Sequence, residues 1–228
     1  MNFLTKGKLK TIYLTNYNLI QTIGWIYLFF KTLRKNIKKK EETTWERTNL
    51  ILKTFQTLSI FEILNSYLKI VKSSTKETSQ QILARLFIIY FVIDKVQLLK
   101  KSKILYPLLL SWSLSDSIRY FYYFLKEFGF QPYWIKYLRY SGFLIFYPIG
   151  MISEALLIIE TFKIQIPNPS TKVTDNIKGK DDIINISKLH NFILFLFLFS
   201  AIPFFYPKMF KHMVRKNIFF KNLMFQKS

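Results

Sequence analysis

Six apolar runs separated by polar, mostly basic segments dominate the chain. Runs of this length are typical of transmembrane helices, because about 20 apolar residues in a helix cross the hydrocarbon core of a bilayer. The sequence therefore predicts an all-α, polytopic membrane protein, a six-transmembrane-helix bundle that forms a single membrane domain over residues 1–228. The predicted spans are residues 12–30, 50–71, 81–96, 104–125, 140–162 and 192–207.

The polar segments between the runs indicate how the spans are connected. No small-residue cleavage site follows the first run, so we predict a retained span there and not a signal peptide. Residues 72–80 are rich in Ser and Thr and are predicted to form a short turn. The longest polar segment, residues 163–189, is predicted to be a flexible linker.

Composition and charge limit the classes of partner that this chain is expected to bind. The formal net charge is +21, yet the Lys and Arg residues fall between the apolar runs, where they would face anionic lipid head groups. We therefore expect a lipid bilayer as partner and no nucleic acid. The chain contains no cysteine, which excludes disulfides and thiolate nucleophiles.

The fifth span carries the candidate chemistry. Glu154 lies near its middle, and an ionisable group at that depth is costly enough to suggest a functional site. Tyr147 precedes it by seven residues, a spacing that places both side chains on one face of a helix, about two turns apart. Pro148 and Gly150 lie between them, and Pro148 is expected to kink the helix. The alternatives are a packing role for Tyr147 and a structural ion pair for Glu154.

Other polar side chains within spans are expected to be structural. Asp116 and Arg119 lie three residues apart on one helical face and can neutralise each other. Glu62 needs a cationic partner at depth, for which Arg85 and Arg119 are the candidates. Gln81 and Arg85 share a helical face. We therefore predict a structural polar network that contains Glu62, Gln81, Arg85 and Asp116.

Five sequence blocks in the same order resemble one family, the very-long-chain 3-hydroxyacyl-CoA dehydratases, once called protein tyrosine phosphatase-like proteins. The blocks are residues 17–25 (YNLIQTIGW), 55–64 (FQTL and FEIL), 81–85 (QILAR), 111–120 (SWSLSDSIRY) and 138–154 (LRY and YPIGMISE). The sequence departs from the family pattern at Asn65, Lys69 and Asp116, where the family often has His, Gly and Glu. The first two departures are expected to alter packing around the second span.

The resemblance implies an enzyme, a hydro-lyase that converts long- or very-long-chain 3-hydroxyacyl-CoA to trans-2-enoyl-CoA in fatty acid elongation. Tyr147 and Glu154 occupy the positions of the family's catalytic Tyr and Glu. We favour Glu154 as the base for the C2 proton and Tyr147 as the donor to the leaving hydroxyl, although the roles could be reversed or shared. Because the thioester acidifies that proton, no metal or other cofactor is expected. Phosphatase activity is excluded by the absence of cysteine.

The resemblance also implies substrate contacts and a location. Arg119 and Arg139 are candidates for the CoA phosphates, and Tyr140 and Gly150 for further substrate binding. The family is found in the endoplasmic reticulum membrane with both termini cytosolic, and other elongation enzymes are the expected partners. Two other functions stay open: a catalytically inactive, dehydratase-like membrane scaffold, and a small polytopic transporter.

Overall fold

The computed structural model describes residues 3–34, 43–165 and 193–196, together with positions 207, 210, 211, 214, 215 and 218. All regular structure in this part of the chain is helical, so the all-α prediction is confirmed there. The helices are α1 (Phe3–Leu33), α2 (Thr44–Leu58), α3 (Ile60–Tyr67), α4 (Thr75–Phe87), α5 (Leu105–Glu127) and α6 (Tyr133–Gln165). A π-helical turn at Ile88–Ile93 continues α4, and a short 3₁₀ helix lies at Gln97–Lys101.

The core forms where α5 packs against both α1 and α6. Apolar side chains from these helices, from α2 and from the π-helical turn fill it, among them Trp25, Leu28, Leu52, Ile89, Leu108, Trp112 and Leu157. Helix α2 approaches α1 closely at Gly24. Because glycine has no Cβ atom, the Phe55 ring occupies the space that a Cβ atom would take. A larger residue at position 24 would displace that ring.

Helix α1 buries several polar side chains and exposes several large apolar ones. Gln21 is fully buried and Asn18 and Thr22 nearly so, whereas Ile23 and Phe30 are 59% and 62% exposed. Helix α6 shows the same feature: its buried residues include Ser153, Glu154 and Thr161, and its exposed residues include Ile145, Ile149, Ile152 and Leu156. Both helices thus bury polar side chains beside apolar core residues such as Trp25 and Leu157, and expose large apolar side chains on the rest of their surface.

Side-chain caps begin two of the helices. Thr43 and Glu46 form a reciprocal capping box at the start of α2, in which the Thr43 N–H donates to Glu46 Oε2 at 2.8 Å. This backbone hydrogen bond, with that of the Thr43 hydroxyl, holds the pKa of Glu46 below its ordinary value. Ser74 caps α4, so the predicted turn over residues 72–80 is wrong from Thr75 onward.

Lys69 lies just after α3 with φ at +55°, in the left-handed region. A side chain there costs about 1–2 kcal/mol, and glycine avoids this cost. The departure of the sequence from glycine at this position therefore coincides with a backbone conformation that suits glycine. The left-handed backbone at Lys69 also ends α3 before the end of the second predicted span.

Some of the predicted spans coincide with single helices, and others do not. Helices α1 and α6 contain residues 12–30 and 140–162, and α5 contains all of residues 104–125 except the first. The second span is divided at Ser59, and the third consists of α4 with the π-helical turn. Of the sixth span, residues 193–196 and position 207 are described, and they are helical; the linker at 163–189 lies beyond the described residues after Gln165.

Among the described helices, Tyr133–Ile164 within α6 is the one that is long and apolar enough to cross a membrane by length and composition. The polar side chains that α1 buries, such as Asn18 and Gln21, lower its hydropathy even though they face the interior. Membrane association is therefore indicated by one helix.

Candidate active site

Helix α6 places Glu154 against the indole of Trp112 on α5. Both side chains are buried, with 3% and 2% of their surfaces exposed. Trp112 Nε1 donates a hydrogen bond to Glu154 Oε1 over 3.1 Å. The buried carboxylate therefore has a specific hydrogen-bond donor, as a buried charge requires.

Tyr147 lies on the same helix, N-terminal to Glu154. The helix continues through Pro148 without interruption from Tyr133 to Gln165. The Tyr147 ring stacks on Phe143, with ring centroids 4.5 Å apart. Tyr147 is partly buried and lies within electrostatic range of Glu154 and Arg85, and a shared catalytic role for the predicted pair stays a prediction.

Arg85 of α4 completes this cluster. Its guanidinium lies over the face of Trp112, 5.0 Å from the ring centroid, and it pairs with Asp116 one turn further along α5. Asp116 is almost fully buried. The cluster of Tyr147, Glu154, Arg85, Asp116 and Trp112 thus unites side chains from three helices, and we call it the α4–α5–α6 cluster.

A second group of ion pairs adjoins this cluster. Arg119 Nη2 lies 3.0 Å from Glu62 Oε1 and 3.4 Å from Asp116 Oδ1, so it bridges two carboxylates. Tyr120 also donates to Glu62, and its hydroxyl lies 3.0 Å from that of Ser59. The self-neutralising Asp116–Arg119 pair is therefore only one part of a wider network.

A cavity of about 430 Å³ opens beside Arg119. Glu62, Gln81, Arg119 and Arg139 line it, so the structure gathers two residues of the predicted polar network and two predicted substrate contacts there. Lys72 and Lys126 also line it.

Arg139 differs from Arg119 in its partners. It donates to the Tyr123 hydroxyl at 2.8 Å and lies over the rings of Tyr122 and Tyr123. Within the described part of the chain no carboxylate forms a salt bridge with it. The positive charge of Arg139 is therefore neutralised less by nearby carboxylates than the charge of Arg119.

Tyr140 and Gly150 occupy separate positions on α6. Tyr140 lies beside Tyr122, with which it shares a hydrogen bond. At Gly150, an added Cβ atom would lie 3.3 Å from Ser111 Oγ and 3.5 Å from Trp112 Nε1. Gly150 therefore lets α6 approach α5 next to the Trp112–Glu154 hydrogen bond.

Sequence reasoning gave no role to Trp112 or Tyr120, although both stand in the fourth sequence block. The available signal was their helical spacing: Trp112 lies one turn before Asp116, and Tyr120 one turn after it. The described residues contain no group of three acidic or histidine side chains that could hold a metal ion. Metal-free chemistry stays a prediction.

Comparisons with known proteins identify the family. The family model "Protein tyrosine phosphatase-like protein, PTPLA" matches residues 56–218. The very-long-chain (3R)-3-hydroxyacyl-CoA dehydratase PASTICCINO 2 of Arabidopsis thaliana is 33% identical over 172 residues, which cover 70% of this chain and 76% of the relative. A probable very-long-chain (3R)-3-hydroxyacyl-CoA dehydratase of Schizosaccharomyces pombe is 34% identical over 155 residues, with 67% and 74% covered.

More distant relatives cover more of the chain. The very-long-chain (3R)-3-hydroxyacyl-CoA dehydratase 1 of Canis lupus familiaris is 27% identical over 220 residues, which cover 92% of this chain and 82% of the relative. No solved structure shows a significant match. The family model and the relatives agree with the resemblance in the five sequence blocks. The chain belongs to the protein tyrosine phosphatase-like (PTPLA) family.

Proposed function

We propose that this chain is a hydro-lyase that dehydrates long- or very-long-chain 3-hydroxyacyl-CoA to trans-2-enoyl-CoA in fatty acid elongation. The observation that carries the proposal is a buried, hydrogen-bonded Glu154 seven positions after Tyr147 on α6, in a chain whose relatives are named as such dehydratases. A carboxylate and a phenol are the two groups that this elimination needs.

The proposed reaction transfers one proton from C2 of the substrate to Glu154 and one proton from Tyr147 to the leaving hydroxyl. Glu154 removes the proton from C2, and the electrons of that C–H bond form the C2=C3 double bond. The C3–O bond breaks, and Tyr147 gives its proton to the departing hydroxyl, which leaves as water. Transfer of the proton from Glu154 to the tyrosinate then restores both groups. Arg85, which acts on Tyr147 electrostatically, is placed to stabilise the transient negative charge.

An assay with purified chain in detergent or proteoliposomes tests this function. We expect a long-chain (3R)-3-hydroxyacyl-CoA to yield the trans-2-enoyl product, followed by chromatography of the two thioesters. The reverse hydration should also be catalysed, because an enzyme accelerates both directions. A folded preparation that catalyses neither direction would contradict the proposal.

We place the CoA phosphates in the cavity beside Arg139. The cavity wall carries Lys72, Lys126 and Arg139, and the Arg139 guanidinium forms no salt bridge within the described part of the chain. Guanidinium groups bind phosphate through two parallel hydrogen bonds. Arg119 faces Glu62 and Asp116, so we assign it a smaller share in phosphate binding than Arg139.

Arg139→Leu is therefore expected to raise KM about ten- to a hundredfold with little change in kcat, the range for a hydrogen bond between charged groups. The loss should shrink for a dephospho-CoA substrate that lacks the 3′-phosphate. Lys136 lies on α6 outside the cavity, and Lys136→Leu serves as control. An equal loss with both substrates would assign Arg139 to structure.

The buried polar side chains and the exposed large apolar side chains of α1 and α6 support a bundle that crosses a membrane. Apolar side chains directed outward contact lipid favourably, whereas the buried polar side chains find partners inside the bundle. We propose a single membrane domain with six spans in the endoplasmic reticulum and both termini cytosolic. The enoyl product requires a further reduction, so other elongation enzymes are the proposed partners.

Cysteine labelling tests this topology, because the chain has no native cysteine. Thr5→Cys and Phe225→Cys are expected to react with a membrane-impermeant maleimide from the same, cytosolic side of sealed microsomes. The unsubstituted chain provides the background. Labelling of the two positions from opposite sides would refute an even number of spans.

A further inference from the structure

Two buried indoles of this chain make hydrogen bonds of the same length to different acceptors. Trp25 Nε1 donates to the amide oxygen of Gln21 at 3.1 Å, and Trp112 Nε1 donates to the carboxylate of Glu154 at 3.1 Å. Both indoles are almost fully buried, at 0% and 2% exposure. Trp112 differs from Trp25 in its acceptor, which is the carboxylate of the proposed catalytic base.

The surroundings of Trp112 hold its indole in that place. The Arg85 guanidinium covers the ring face, and Asp116, on the same helix as Trp112, pairs with that guanidinium. On the α6 side, Gly150 lies one turn before Glu154 and leaves room for the indole edge, since a Cβ atom there would lie 3.5 Å from Trp112 Nε1. A Cβ atom at position 150 would be in ordinary van der Waals contact with the hydrogen-bonded edge of the ring and in a tighter contact, at 3.3 Å, with Ser111 Oγ.

We infer that Trp112 is the positioning residue for Glu154: its N–H fixes the rotation of the carboxylate, so that one oxygen is directed at the C2 proton of the substrate. The inference rests on the proposed function. A carboxylate bound through one oxygen loses rotational freedom, and correct orientation of the reacting groups is a large part of catalysis. The cation over the ring also polarises the indole and strengthens N–H donation.

Trp112 acts through Glu154, so its loss should lower kcat more than it raises KM. The sharpest variant carries 3-benzothienylalanine at position 112, in which a sulfur atom replaces the N–H group while the ring shape and its contact with Arg85 are kept. Trp112→Phe is the second variant. The same two replacements at Trp25 are the matched controls, because Trp25 loses an equally buried hydrogen bond with a neutral acceptor.

We expect the position-112 variants to lose about ten- to a hundredfold in kcat, the range for a hydrogen bond to a charged group, while KM changes less than about threefold. The position-25 variants should keep both parameters, even where their melting temperatures fall. Unchanged kcat in the sulfur analogue at 112, or equal kcat losses at 25 and 112, would overturn the inference.

The controls separate this inference from the proposed function. An inactive unsubstituted chain, or a fully active Glu154→Gln variant, would contradict the proposed function itself. An active chain that Glu154→Gln inactivates, but that the sulfur analogue at position 112 does not slow, would contradict the positioning role alone.

Discussion

Glu154→Gln and Tyr147→Phe should each lower the rate of 3-hydroxyacyl-CoA dehydration by at least about a hundredfold, the contribution typical of a general acid or base. Both replacements keep the size of the side chain and remove only the proton-transferring group. Single-turnover assays with purified protein would measure the effect. The double variant should be barely slower than either single variant, because the two groups act on one substrate as a unit.

Matched controls are available on the same helix. Glu160 accepts a hydrogen bond from Ser102 at 2.6 Å and Tyr137 is exposed, so Glu160→Gln and Tyr137→Phe should retain most activity. The fall of the rate at low pH should disappear in Glu154→Gln if this carboxylate must be charged to act as the base. Near-normal turnover in correctly folded Glu154→Gln would contradict the mechanism and favour the inactive scaffold.

Arg119→Met should lower the free energy of unfolding by about 3–5 kcal/mol, the usual cost of removing one partner from a buried ion pair. The arginine bridges Glu62 and Asp116, so its loss leaves Glu62 with only the hydroxyl of Tyr120 among the contacts described above. The measurement is denaturant or thermal unfolding in detergent without substrate, followed by tryptophan fluorescence.

A second substitution distinguishes lost pairing from lost packing. Arg119→Met combined with Glu62→Gln should recover much of the stability, because no uncompensated charge then stays at position 62. Arg139→Met is the control: its cation lies over two tyrosine rings, and its loss should cost about 1 kcal/mol or less. Equal losses for Arg119→Met and Arg139→Met would contradict the bridging role.

The sequence was sufficient to predict what depends on local patterns. Apolar runs predict helices whatever they pack against, and the seven-residue spacing placed Tyr147 and Glu154 on one helix. Helix ends were predicted less well, because caps and conformations at single residues decide them. Ser74 begins α4 inside a predicted turn, and Lys69 ends α3 early by entering the left-handed region.

Contacts between helices could be predicted only in part: Arg119 was one of two candidate partners for Glu62, but no partner was predicted for Trp112. Trp112 meets Glu154 across 42 positions, and Arg119 meets Glu62 across 57, so both contacts depend on how the helices pack. The spacing of Asp116 and Arg119 indicated a pair within one helix, yet Asp116 also pairs with Arg85 of α4. Local spacing identifies candidate partners, and the packing of the helices determines which of them are in contact.

The inward polar face of α1 has a consequence for what holds such a bundle together. In a bilayer, separating two helices exposes apolar surface to lipid tails that solvate it as well as another helix does, so the hydrophobic effect supplies little cohesion. Cohesion then comes from close packing and from directional links such as Gln21 to the Phe55 carbonyl, and Tyr17 to the Leu58 carbonyl. In the proposed membrane bundle, helix pairing would therefore be specified by a few polar side chains, while the exposed isoleucines would tolerate exchange for other apolar residues.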